Sequence, residues 1–113
     1  MSVAVAEDAV GFSHSVVDPP VGTVLRLYVD PDRRREGIGS RLLERTRREL
    51  AGRGVDRVQA MVLAANDPGA AFYRADGFER ISTGETVIGG ETYPERVYER
   101  PAEQILKDWR AIQ

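Results

Sequence analysis

The chain has 113 residues, 42% of them hydrophobic and 30% charged, and a net charge of −2. That balance predicts one ordered globular domain with a buried core, and it speaks against a nucleic-acid backbone as the main partner. There is no cysteine and His14 is the one histidine, which excludes thiol catalysis, disulfides, thiolate metal sites and multi-histidine metal sites. No apolar run is long enough to span a membrane, and no basic segment followed by an apolar stretch opens the chain. The expectation is a soluble, cytoplasmic protein that needs no metal.

In chain order, residues 2–6 and 9–17 are β-branched runs around Glu7-Asp8, the pattern of an antiparallel hairpin. Asp18-Pro19-Pro20 breaks the second run. Gly22–Val29 is the next strand, with Leu25, Leu27 and Val29 predicted on one face and Val24, Arg26 and Tyr28 on the other. An arginine-rich turn with Gly37 and Gly39 follows. The helix after it carries Ile38, Leu42, Leu43, Thr46 and Leu50 at helical spacing and ends at Gly52 and Gly54. Asp56–Ala64 reads as a buried strand. Asp67 is the expected N-cap of a second helix, with Pro68 in its first turn and Gly77 at its end. Residues 78–82, 85–89 and 91–99 predict a final pair of strands around Gly89-Gly90. Residues 102–113 carry Ile105, Leu106, Trp109 and Ile112 on one face of a short amphipathic helix. The order β-β-β-α-β-α-β-β-α describes a mixed α/β domain, residues 1–113, around one sheet.

The strand–turn–helix at Leu25–Leu50 is the chemically informative segment. The first N–H groups of a helix have no internal partner and carry partial positive charge. Glycines at that point let a bulky anion approach them, so the turn predicts a phosphate site.

Two motifs now stand in order. The first is Val29-Asp30-Pro31 followed by Arg34-Arg35-Glu36-Gly37-Ile38-Gly39. The second is Asn66, then Phe72-Tyr73, then Gly77-Phe78. Together they resemble the GNAT superfamily of acyl-CoA-dependent N-acyltransferases. The resemblance implies a mixed, mostly antiparallel twisted sheet flanked by helices. It lacks the first strand and first two helices usual in that family, which normally wall the acceptor pocket. It also implies acetyl-CoA as acyl donor and direct attack of a primary amine, on a small molecule or a protein, at the thioester. The pyrophosphate of coenzyme A is then expected on the backbone from Arg34 and Arg35 through Glu36, Gly37, Ile38 and Gly39 to Ser40. The pantetheine arm is expected along Leu27 and Val29, with Asn66 bonding its amides and Arg33 and Arg74 near the phosphates.

By the same resemblance the Leu27 N–H holds the developing oxyanion. Tyr73, with an ordinary pKa of about 10, donates the proton to the leaving thiolate. On residue type alone, Tyr73 reads as a core-facing aromatic at the end of a helix, and Asn66 nearly as readily as a loop residue before a cap. The general base is open: Thr23 stands where some family members carry a glutamate. His14 alternates with Val10, Phe12 and Val16, and a histidine on an apolar strand face is more often packed than catalytic. Gly69 replaces an alanine common in the family. Glu85, Glu91 and Glu95 are candidates to attract a cationic amine. A trimmed domain with an apolar tail predicts a homodimer. The competing class is a coenzyme-A-binding regulatory subunit with no acceptor site of its own.

Overall fold

The computed structural model describes residues 1–33 and 37–102. Among the described residues, six strands and two α-helices give the mixed α/β class expected, in the expected order. The predicted tail helix falls outside the described residues. Contacts divide the described residues into two compact units: Met1–Val58 with Pro101 and Ala102, and Gln59–Arg100.

In the first unit β1 (Ser2–Glu7), β2 (Gly11–Asp18) and β3 (Val21–Val29) form an antiparallel meander. A 3-10 turn at Pro31–Arg33 leads to α1 (Ile38–Ala51). Helix α1 buries Ile38, Leu42, Leu43, Thr46 and Leu50, the five residues that its spacing predicted. Its outer face carries the Arg48–Glu44 pair at 2.6 Å. Arg45 reaches the Ala6 carbonyl and the Glu7 carboxylate, which ties α1 to the β1–β2 turn.

On β2 the face under α1 is not the apolar one, although Val3 and Val5 of β1 lie on the same side of the sheet. Gly11, Ser13, Ser15 and Val17 are buried there, whereas Phe12 (44% exposed) and Val16 (37%) lie on the open face. The reason is space. A Cβ on Gly11 would stand 2.8 Å from the Tyr28 carbonyl oxygen, and one on Gly22 would stand 3.1 Å from Leu50. Small residues let the leucines of α1 approach the backbone. Ser13 donates to Thr46 Oγ1 at 2.6 Å, and Thr46 donates to the Leu42 carbonyl at 2.7 Å.

The β2–β3 register shifts between His14 and Ser15. Ser15 faces Val24 and His14 faces Arg26, so Leu25 is the extra residue of a bulge. The expected faces of β3 are corrected accordingly. Val24, Leu27 and Val29 lie opposite Ser15, Ser13 and Gly11, while Arg26 and Tyr28 lie opposite His14 and Phe12. Leu25 is exposed.

The second unit takes up β4 (Arg57–Leu63) at its boundary, then α2 (Asp67–Ala75), β5 (Glu79–Ile88) and β6 (Glu91–Pro101), with strands ordered β4-β6-β5. Strand β4, expected as a buried strand, alternates: Val58, Ala60 and Val62 are buried and Met61 is exposed. Residues 78–82 and 85–89 merge into one strand, β5, with a bulge at Ile81 between Arg80 and Ser82. Its turn, Gly89-Gly90, has φ 60 and 83, the paired left-handed conformations of a tight hairpin. Gly77 takes φ 90 after α2. Arg100 donates to the Asp76 carbonyl there, closing the helix end.

Candidate functional site

In the first unit the site is built on the junction of β3 with α1. The Asp30 N–H donates to the Val10 carbonyl at 2.7 Å, a bonded step at the end of the β2–β3 ladder. Bonded and non-bonded pairs alternate along an antiparallel ladder. Val29 with Gly11 and Leu27 with Ser13 are therefore non-bonded pairs. The N–H and C=O groups of Leu27 and Val29 point away from β2.

Asp30 then turns the chain: its Oδ1 accepts the Asp32 N–H at 2.9 Å, and its carbonyl accepts the Arg33 N–H at 2.9 Å. Gly37 is the N-cap of α1 with φ 74, and no side chain caps the helix. The first N–H groups of α1, on Ile38, Gly39 and Ser40, have no partner inside the helix. Gly37 and Ser40 are exposed and Gly39 half-buried, while the Ile38 side chain is in the core. A Cβ at Gly37 would meet nothing closer than Arg41 Nη1 at 3.7 Å. Glycine is required there by the left-handed backbone rather than by crowding. Arg34, Arg35 and Glu36 lie outside the described residues.

In the second unit the site is built on α2. Asn66, not Asp67, is its N-cap: Oδ1 accepts the Gly69 N–H at 3.0 Å, which places Asp67 and Pro68 inside the first turn. A Cβ at Gly69 would sit 2.9 Å from Asn66 Cγ. The folded-back asparagine explains why glycine stands where alanine is common. The cap engages Oδ1 and leaves Nδ2 to donate.

Tyr73 packs edge-on between Phe72 and Phe78, with both ring centroids at 5.2 Å. Loss of water around it pushes its pKa from 10.0 up to about 12. The ordinary value expected from sequence is thus corrected, because those neighbours are not visible from composition. Arg74 stacks its guanidinium 5.7 Å over the Tyr98 ring. Tyr98 is fully buried and its hydroxyl has no partner among the described residues.

His14 is half-buried, opposite Arg26 and Ala4, and Thr23 is opposite Val16. No group of three potential metal ligands occurs among the described residues, and none of their helices is long and apolar enough to cross a membrane. Sequence reasoning missed the Leu25 bulge and the Asn66 cap. The cap was legible from the Asn-Asp-Pro order, since asparagine caps as well as aspartate does. The bulge had no local signal.

The chain is 42% identical over 81 residues to mycothiol acetyltransferase from Clavibacter sepedonicus, covering 68% of this chain and 27% of that protein. It is 38% identical over 72 residues to [ribosomal protein bS18]-alanine N-acetyltransferase from Escherichia coli K12, covering 64% of this chain and 45% of that protein. These matched stretches cover less than half the length of either relative. The crystal structure of the Escherichia coli ribosomal-protein-S18-alanine N-acetyltransferase shares the fold, with a TM-score of 0.72 over 91% of this chain and 69% of that one, at 24% identity. The PaiA N-acetyltransferase of Thermoplasma acidophilum, solved in complex with coenzyme A, matches with a TM-score of 0.67 over 81% of this chain and 53% of that one, at 23% identity. Residues 1–80 match the GNAT acetyltransferase domain, and the chain belongs to that family.

Proposed function

We propose that this chain is the catalytic domain of an N-acetyltransferase that moves an acetyl group from acetyl-CoA to a primary amine. The observation that carries the reading is the Gly37 turn: a left-handed glycine opens α1 with no side-chain cap. Its outward N–H groups fit a pyrophosphate, and family membership says which pyrophosphate to expect.

When bound, acetyl-CoA supplies the activated thioester. The backbone N–H groups of Gly37, Ile38, Gly39 and Ser40 hold the phosphates, with Arg34, Arg35 and Glu36 as the family resemblance implies. Leu27 and Val29 offer the N–H and C=O groups that they turn away from β2 to the pantetheine amides, as one strand does to another. The Leu27 N–H is the oxyanion donor. Asn66 contributes the donor at Nδ2. Tyr73 holds a proton at its hydroxyl throughout the physiological range, because burial makes its ionised form costly. That proton is the one for a leaving thiolate. A thiol of pKa about 8.5 is a stronger acid than this tyrosine. Transfer from Tyr73 is therefore uphill unless it accompanies bond cleavage, and the hydroxyl acts first as a hydrogen-bond donor.

The acceptor is an amine on a small molecule or a protein, and the cytoplasm is the compartment that supplies acetyl-CoA. The test is thiol release from acetyl-CoA across an amine panel, with coenzyme A binding measured separately by calorimetry. Turnover with at least one amine is expected. Binding without turnover on any acceptor favours the coenzyme-A-binding regulatory subunit instead. Absence of binding removes both readings.

A further inference from the structure

We propose that β5 is a self-association surface, on which two copies of this chain pair antiparallel about a two-fold axis at Thr83. Strand β5 ends the strand order and is exposed along nearly all of its 10 residues. The direction of its backbone groups follows from the hairpin. A two-residue turn is closed by a bonded pair, here Ile88 with Glu91. Alternation then leaves Val87, Glu85 and Thr83 in non-bonded pairs with Thr92, Pro94 and Arg96. Pro94 agrees with this: it has no N–H, and its carbonyl accepts from Ala64 at 2.9 Å, away from β5. Thr83, Glu85 and Val87 therefore turn their N–H and C=O groups out of the sheet edge. Such a row is a template for another strand.

Charge selects the partner and the register. The Ile81 bulge pairs Arg80 with Tyr98, and Glu85 pairs with Pro94. Tyr98 and Pro94 are an even number of residues apart on β6, so Arg80 and Glu85 share one face of β5. With Thr83 on the axis, Ser82 of each copy faces Gly84 of the other. Ile81 is the extra residue, and Arg80 faces Glu85 twice over. Neither side chain has an ion-pair partner among the described residues. An axis at Glu85 would set two carboxylates against each other, and an axis at Val87 would engage only the hairpin tip. The charges that usually protect an edge are here complementary to a second copy in an isologous pairing.

Sedimentation equilibrium of the whole chain over a concentration series tests this. The expected result is a reversible dimer of 12.5 kDa chains. Glu85→Arg should raise the dimer dissociation constant about tenfold or more by placing like charges opposite each other, and the exchange Arg80→Glu with Glu85→Arg should restore it. Thr83→Pro, which removes an outward N–H and no bond to β6, should give a monomer. A monomer at every concentration, whatever else covers the edge, overturns the proposal. So does a dimer indifferent to Glu85→Arg.

Discussion

Tyr73 shows how far a residue's role depends on its immediate shell. Its motif places a phenol on α2, but burial in the folded chain sets its acidity. Tyr73→Phe should lower kcat about a hundredfold or more, the low end for general acid catalysis, with coenzyme A affinity unchanged. Unaltered kcat in steady-state assays removes Tyr73 from the chemistry. The same residue gives a pH signature. Its folded pKa of about 12 lies above the unfolded 10.0, so the folded state binds more protons between those values. Stability contributed by the neutral phenol is complete below pH 10 and is lost as pH rises toward 12, by of order 2 kcal/mol. Urea melts of wild type and Tyr73→Phe should diverge in that window and run parallel below it. Gly37 is the second residue-scale case: at φ 74 a side chain is strained by about 1–2 kcal/mol. Gly37→Val should weaken coenzyme A binding in calorimetry as the helix opening shifts, and undiminished affinity would separate the turn from the cofactor.

At the scale of elements, α1 was legible because its five buried residues repeat at helical spacing, a signal internal to one segment. Strand β2 was not. Its large residues, Phe12 and Val16, belong to the open face, and its core face is glycine, two serines and valine. Hydrophobic alternation reports which face is apolar, not which face a helix covers. Ser15 marks the consequence: it is fully buried under α1 and its hydroxyl has no partner among the described residues. Ser15→Ala should raise stability by about 1 kcal/mol in chemical denaturation, since an unpaired buried hydroxyl is removed. Ser13→Ala should lower it by a similar amount, because Ser13 is bonded to Thr46. Gly22→Ala belongs to the same packing. Its Cβ would press on Leu50 and on Val55 at 3.3 Å, and the expected loss is about 1–3 kcal/mol.

For the whole molecule, the paired β5 edges predict a thermal midpoint that rises with protein concentration in wild type, because only the folded state dimerises. In Glu85→Arg the midpoint should be flat by scanning calorimetry over the same range. The sequence alone determined the order of elements, the residues that α1 buries, and the family whose motifs lie at the Gly37 turn and at Asn66 to Phe78. Each of these is written in local spacing: helical periodicity, a cap, or a glycine where φ must be positive. Tertiary structure decided the rest: the face of β2 that holds the core, the Leu25 bulge that redirects Leu27 and Val29, the Asn66 cap over Gly69, and the acidity of Tyr73. Those depend on neighbours brought together by strand register and packing, and a linear chain carries no record of which strand will stand opposite.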